Sequence, residues 1–527
     1  MNAVSAMPRR ILALWFPRLP ADRVRRKRFG PAWRIEKAPE GPGLVFWRRE
    51  GNADRLAAVD EKAATLGLSP GMALADARAM HPGLEILEED VAADGRLLSG
   101  LADWCDRYTP LVAFDGEDGL FLDITGCAHL FGGEEAMLAE ALSRLMHLGF
   151  AVRGALASTA GAAHAAARFS GTTIVEPGGE QALLAPLPLA SLRLEPATRA
   201  GLESVGLKTV GALGAAPRAP LARRFGATLL VRLDRALGRL DEPLSPRLAL
   251  PLVSAERRLA EPVSRTEDIE HLVFMLARSL AGELERRGEG ARLVELALYR
   301  LDGAVSRLAV GASRPMRDPA ALKRLFRERL AALGDDLDAG FGFDMARLSV
   351  MEAAAFDERQ ERLDGDRTEA PEEALALLTD RIRARLGAQA LLAPAFVDSR
   401  LPERAARLAP FAALPAAAPP PAGDDTVAPE SDSVRPLRLF APAEPVEAVA
   451  EVPDGPPVRF RWRRALYRIA RAEGPERLAP EWWRGDAGRT RDYYRVEDET
   501  GRRWWLCRHG LYGETAEPRW YLQGAFA

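Results

Sequence analysis

The chain has 527 residues, 47% of them apolar and 28% charged, with a formal net charge of −3. That length holds several domains of ordinary size, and that balance describes a globular protein with enough apolar residues for packed cores. The near-neutral charge excludes a global electrostatic pull toward nucleic acid, so any such contact must come from local basic patches. Cys105, Cys127 and Cys507 lie far apart, which suggests neither a disulfide framework nor a zinc site and fits a reducing cytosol. Cys507 and His509 are two ligands, short of a tetrahedral set, so neither metal nor cofactor is expected. Arg9-Arg10 precede only a short apolar run before Pro17, too short for a signal peptide. No later run approaches the ~20 apolar residues of a membrane helix, and a cytoplasmic location is expected.

In chain order, Ile11 to Phe16 reads as a buried strand stopped by Pro17. Asp60 to Met80 reads as helix, turn, helix, broken at Gly67-Leu68-Ser69-Pro70-Gly71. Leu111 to Thr125 gives two strands around the turn Asp115-Gly116-Glu117-Asp118-Gly119. An amphipathic helix from Glu134 to Leu148, a strand from Ala151 to Ala157 and an Ala-rich helix from Gly161 to Phe169 complete an α+β domain. The pattern is helical from Leu187 to Asp241. A second α/β domain then reads β-α-β-β-α-β: strands at Leu248 to Ala255, Ala291 to Leu301, Ser306 to Ala312 and near Met345 to Met351, helices at Thr266 to Arg287 and Asp318 to Leu333. A helix from Pro371 to Leu386 and a Pro-rich linker from Ala412 to Asp432 follow. The tail from Arg435 holds six of the ten Trp and five of the seven Tyr, which marks a separate small domain with its own aromatic core. Such rings can stack on single-stranded bases, but recognition of a protein partner is the expected role. In Trp504-Trp505 one ring falls on each face of a strand, so one is expected to be exposed.

Leu202, Val205-Gly206-Leu207, Thr209-Val210 and Leu213 form a helix-hairpin-helix pattern. Gly206 permits the tight turn, and the turn's N–H groups suit a phosphate, a contact that reads backbone and not sequence. The alternative is an ordinary helical hairpin.

With that motif at its centre, the stretch from Ile11 to about Met351 resembles the Y-family translesion DNA polymerases. Ile11-Leu12 opens the strand that in the family leads to a D-x-D motif; Gly67 to Met72 resembles its fingers segment; Leu120-Phe121-Leu122-Asp123-Ile124-Thr125 resembles the end of S-x-D-E-A-Y-L-D-x-T; Val253 to Glu261 resembles the opening strand of the little finger. The resemblance implies an α+β right hand: palm 1–28 and 84–186, fingers 29–83, helical thumb 187–245 and little finger 246–355. A helical extension 356–411, a flexible linker 412–433 and a small aromatic-rich C-terminal partner-binding domain 434–527 follow.

Nucleotidyl transfer needs two divalent ions held by carboxylates. The motif aspartates of the first strand fall on Trp15 and Pro17, and the Asp-Glu pair falls on Asp118 and Gly119, so one carboxylate survives. The family's fingers Tyr and Arg fall on Glu61 and Ala64, and its two lysines on Ala160 and His164, which leaves an anionic Glu61 where a triphosphate would bind. The expectation is a pseudo-polymerase. The rival is an active low-fidelity translesion polymerase with a degenerate metal site, which needs another acid beside Asp118; Asp22 lies outside the strand, and Asp115 and Glu117 lie on the turn.

For DNA, the candidates are Gly206, Lys208 and Thr209 in the hairpin and Arg257, Arg258, Arg265, Arg307 and Arg314 in the little finger, read as arginines on one strand face that tracks a duplex. Arg300, Arg317, Lys323 and Arg324 add to the same span. The run Arg23, Arg25, Arg26, Lys27, Arg28 is either a solvated loop or a phosphate contact.

A silent Y-family chain with a long C-terminal extension resembles the non-catalytic subunits of the bacterial mutasome, as do Leu14-Trp15-Phe16-Pro17, Arg435 to Phe440, Gly474 to Arg477, Pro480 to Trp483 and Arg491 to Tyr494. That resemblance implies a role in DNA damage tolerance and induced mutagenesis. It also implies partners: primer-template DNA, the sliding clamp, an ImuA-type RecA-like accessory protein and an error-prone C-family DNA polymerase. Clamp binding in the family uses a short peptide past the little finger that plants a Leu and an aromatic in a groove. Gln360 with Leu363 stands in the expected place without the terminal hydrophobic pair; Leu437, Leu439 and Phe440 have the chemistry but follow the linker, where they also read as the first strand of the last domain.

Overall fold

The computed structural model describes residues 8–36, 41–356, 370–411, 435–436, 438–452, 455–485, 488–515 and 517–526. The chain divides into two units, Met1–Arg385 and Leu386–Ala527.

In the first unit, β1 (Ile11–Trp15) is the apolar run ahead of Pro17. β2 (Leu44–Glu50), β3 (Ala53–Val59) and β4 (Glu85–Glu88) form a separate small sheet in the order β3-β2-β4, with β2 and β4 parallel. The short helices Glu61–Thr65 and Leu74–Met80 pack on it; Asp60 caps the first by accepting from Ala63 N–H at 2.8 Å. β5 (Val112–Phe114), β6 (Gly119–Asp123) and β7 (Arg153–Ala157) join β1 in the order β5-β6-β1-β7. Strand alternation sends Ile11, Ala13, Phe121 and Ala155 to one face and Leu12, Leu14, Leu120, Leu122 and Leu156 to the other. The second face buries against the helices Val91–Cys105 and Glu134–His147. The first carries the Ala-rich helix Ala160–Phe169, whose small side chains admit close approach on both sides: a Cβ on Gly161 would meet Ala236 at 2.8 Å.

Four α-helices follow, Pro196–Ser204, Val210–Ala215, Arg218–Phe225 and Ala227–Ala236. β8 (Val253–Val263), β9 (Glu289–Arg300), β10 (Val305–Met316) and β11 (Phe343–Ala355) then make an antiparallel sheet in the order β10-β9-β11-β8. The helices Thr266–Arg286 and Pro319–Leu333 cover one face through a core that includes Leu276, Leu296, Phe326 and Leu348. β8 begins later and runs further than the hydrophobic pattern indicates, because its pairing with β11 extends to Val263 opposite Phe343.

In the second unit, β12 (Leu392–Phe396) and β13 (Ala406–Pro410) form a hairpin. β14 (Arg438–Ala450), β15 (Pro457–Trp462), β16 (Ala465–Leu478), β17 (Arg491–Asp498), β18 (Arg503–His509) and β19 (Arg519–Ala525) close into a barrel. Phe460, Tyr494, Val496, Trp504, Leu506 and Leu522 fill it. Trp504 and Trp505 do take opposite faces, but the exposure expected of one of them is not there: Trp505 stacks on Tyr493 at 4.6 Å under Leu401 and Leu478, and both indoles are buried.

Candidate functional site

β1 and β6 pair so that Trp15 stands opposite Gly119, and Phe16 N–H donates to the Asp118 carbonyl at 2.8 Å. Trp15, Pro17, Asp118 and Gly119 therefore gather at one end of this strand pair. Trp15 donates its indole N–H to Asp118 Oδ2 at 2.8 Å. Arg168 grips the same carboxylate with two bonds, Nη1 to Oδ2 at 3.0 Å and Nη2 to Oδ1 at 2.7 Å. The guanidinium of Arg168 also lies 5.2 Å from the Trp15 ring centroid, and that of Arg153 5.7 Å. Bidentate, charge-assisted bonds are the strong ones. The remaining carboxylate is thus neutralised from within the chain, by a cation and an indole.

The neighbouring acids are occupied as well. His164 Nδ1 lies 2.6 Å from Asp115 Oδ2. Burial favours the neutral Asp115 carboxyl, but the His164 hydrogen bond and the charges of Arg168 and Arg193 outweigh it and hold the group below its usual range. Burial pushes His164 down, so at neutral pH a neutral imidazole donates Nδ1–H to an ionised Asp115. Asp22 is fully buried and accepts from Ala151 N–H at 2.8 Å and Arg34 at 2.7 Å. Among the described residues no group of three or more His, Cys, Asp or Glu side chains is placed to hold a metal ion. A single arginine-bound carboxylate is not a donor set for a pair of divalent ions. A cleft of about 1130 Å³ opens beside Asp118, with Trp15, Pro17, Arg18, Pro70, Arg96 and Phe114 among its walls.

Glu61 is exposed and pairs at 3.0 Å with Arg34, which also binds Asp22. Ala64 packs against the small three-stranded sheet, and Ala160 is the buried first residue of the Ala-rich helix. Arg168 itself escaped the sequence reading. Its signal was its position, the only long polar side chain besides His164 on a helix of alanines, four residues after it and on the same face.

The basic run is neither a solvated loop nor a free phosphate contact. It lies on the helix Leu19–Phe29, where Arg23 pairs with Asp94, Arg25 with Asp60 and Arg28 with Glu85, while Arg26 lies over the Phe150 ring. In the helical segment, Gly206 has φ 86 between Pro196–Ser204 and Val210–Ala215. Thr209 caps the second helix by accepting from Ala212 N–H at 3.2 Å, and Lys208 is exposed.

The arginine track of the second sheet needs correction. Arg257 and Arg258 are successive strand residues and point to opposite faces. Arg258 lies over Phe131 at 4.1 Å, and Arg307 pairs with Asp106 and Glu295 instead of facing solvent. Arg347, largely buried, binds Glu256 and the Asp106 carbonyl. This sheet face is an ionic layer against the helix Val91–Cys105 and the residues just after it. Arg300 is likewise engaged, by Asp302. Arg257, Arg265 and Arg314 remain exposed.

Gln360, Leu363 and Leu437 lie outside the described residues. Leu439 and Phe440 belong to β14, with Leu439 opposite Gly524 and the Phe440 ring 5.9 Å from Trp462. They are barrel residues, not a free peptide. Cys507 is buried, and the His509 ring packs on Tyr521 at 4.4 Å. No helix among the described residues is long and apolar enough to cross a membrane.

The model of the impB/mucB/samB family matches residues 42–168, and that of its C-terminal domain matches residues 252–364. Protein ImuB of Caulobacter vibrioides (strain NA1000 / CB15N) is 43% identical over 473 residues, covering 88% of this chain and 100% of that protein. DNA polymerase IV of Caulobacter vibrioides (strain ATCC 19089 / CIP 103742 / CB 15) is 30% identical over 234 residues, 43% of this chain and 58% of that one. DNA polymerase IV of Alkalilimnicola ehrlichii is 28% identical over 241 residues, 44% of this chain and 66% of that one.

Proposed function

The chain belongs to the ImuB family of Y-family polymerase homologues, and we propose that it works as a non-catalytic adaptor in DNA damage tolerance and induced mutagenesis. In this reading it binds primer-template DNA and the sliding clamp, and brings an error-prone C-family polymerase and an ImuA-type RecA-like protein to them. One observation carries the loss of synthesis: the lone carboxylate at the family's metal position, Asp118, is bound by Arg168 at 2.7 and 3.0 Å and by Trp15 at 2.8 Å. A metal pair would have to displace both donors and would still meet a proline ring and a bare glycine where its other ligands belong.

Primer extension with the purified full chain and Mg²⁺ or Mn²⁺ tests this. The expected result is no extension with either metal, together with salt-sensitive binding of the same primer-template in fluorescence anisotropy. Robust extension abolished by Asp118→Ala would establish the chain as an active translesion polymerase and end the adaptor reading.

A further inference from the structure

From Gly455 to Ala472 the chain carries six arginines, at 459, 461, 463, 464, 468 and 471, and no acidic residue, within a protein whose net charge is −3. These residues build the β15–β16 hairpin. Arg459 stands directly opposite Arg468 across the ladder, and Arg461 opposite Leu466. Like charges facing each other across a ladder are destabilising. Arg459, Arg464 and Arg468 are exposed, and no ion pair is formed by their side chains among the described residues. Arg461 reaches Glu447 only at 3.4 Å, with both side chains more than half exposed.

The turn repeats this choice of charge over stability. Trp462 and Ala465 pair around a two-residue loop, Arg463-Arg464, whose φ angles are 48 and 70. Loops of that kind favour Asn-Gly, because other residues pay for the left-handed region with a Cβ clash. Here Arg463, held by Glu444 at 2.6 Å and lying 4.7 Å from the Trp462 centroid, and the exposed Arg464 occupy it.

Within the hairpin Arg463 pairs with Glu444 at 2.6 Å and Arg471 with Glu473 at 3.0 Å, so the arginines that ordinary structural roles leave unaccounted for are Arg459, Arg464 and Arg468. Elsewhere in the unit arginines are matched: Arg477 and Arg508 with Asp492, Arg502 with Asp498, Arg491 with Glu403, Arg435 with Glu476. The barrel is closed, so the hairpin has no free strand edge for charge to protect. We propose that the outer face and tip of the β15–β16 hairpin form a contact surface for the phosphate backbone of duplex DNA. The charge calls for a polyanion; that the polyanion is DNA rests on the function proposed above. The choice of a duplex over a single strand follows from the rings. Phe460, Trp462 and Tyr467 alternate with the arginines and turn into the barrel, so the outer face offers guanidinium for phosphates and no platform on which unpaired bases can stack.

The test is fluorescence anisotropy of the full chain with a labelled duplex and with a labelled single strand, over a salt series. Arg459→Glu with Arg468→Glu is expected to weaken duplex binding about tenfold or more and to lower the slope of log K against log salt by about two. Arg464→Gly, which leaves the Arg463–Glu444 pair in place, is expected to weaken duplex binding about two- to threefold while the melting temperature holds or rises, an outcome that a purely structural role for the turn excludes. Unchanged duplex affinity and slope in both variants overturns the inference, as does a loss confined to the single strand or a wild-type chain that binds no duplex. Lys208→Glu keeps the two readings apart. If it leaves binding intact while the hairpin variants lose it, the helical hairpin's role fails and this inference stands; the reverse pattern overturns this inference alone.

Discussion

Gly119 and Arg168 compete for one space: a Cβ on Gly119 would lie 2.8 Å from Arg168 Nη2 and 2.9 Å from the Asp115 carbonyl oxygen. The position where the family's catalytic glutamate aligns is therefore closed to any side chain. Arg168 can swing away, but the carbonyl belongs to the backbone of the β5–β6 turn and cannot. Gly119→Ala is expected to cost roughly 1–3 kcal/mol, as overpacking does, and Arg168→Ala is expected to recover only part of that. Urea unfolding of the single and double variants measures the coupling; strictly additive losses would show that the arginine and the glycine do not share the space. By the same argument, restoring acids with Trp15→Asp, Pro17→Asp and Gly119→Glu yields no primer extension.

The ionic layer on the second sheet gives a contrast between two arginines that sequence alone does not separate. Arg307 holds Asp106, whose side chain is buried, whereas Arg257 is exposed. Removing one partner from a buried ion pair strands the other charge, so Arg307→Ala is expected to cost roughly 3 kcal/mol or more in urea unfolding. Arg257→Ala is expected to change stability by less than about 0.5 kcal/mol. In the anisotropy salt series Arg257→Ala lowers the slope by about one and Arg307→Ala leaves it unchanged. A lowered slope for Arg307→Ala would return that residue to the DNA surface.

Asp22 makes stability depend on pH. Burial, opposed by Arg34 and the Ala151 N–H, pushes its carboxyl up to about 6. An acid whose folded value is raised binds its proton more tightly in the folded state, so the chain loses stability as pH rises from about 4 to about 6 and no more above that. Asp22→Asn has no such loss. Its stability relative to the wild type is expected to climb across that window by up to about 3 kcal/mol and then level off. Chemical denaturation at a series of pH values reads this; a difference that stays flat between pH 4 and 6 refutes the assignment to Asp22.

What the sequence made legible was local. Pro17 stops β1, the Asp115 to Gly119 turn joins β5 to β6, and the tail's crowded aromatics mark a separate core. What it hid depended on distant partners. Arg307 looks like any strand arginine until Asp106, some 200 residues earlier, comes to meet it. The run Arg23 to Arg28 looks free until Asp60, Glu85 and Asp94 converge on its helix. The small sheet of β2, β3 and β4 was missed because its strands are short and half polar and carry little periodicity. The absence of acids at Trp15, Pro17 and Gly119 was legible in the sequence, whereas the arginine that binds Asp118 was not.

Phe440 gives a test between the two candidate clamp peptides. Its ring packs beside Trp462 in the barrel, and Leu439 is fixed opposite Gly524, so a clamp groove could take this segment only by unpairing β14 from β19. Phe440→Ala is expected to destabilise the second unit by about 2 kcal/mol, less than a fully buried ring would, and to leave clamp pull-down unchanged wherever the barrel stays folded. Gln360→Ala with Leu363→Ala should do the reverse and abolish pull-down, because a short anchor peptide acts through its own side chains. If Phe440→Ala abolishes pull-down at temperatures where the barrel is folded, while the Gln360 and Leu363 variant binds normally, then β14 must peel away to reach the clamp.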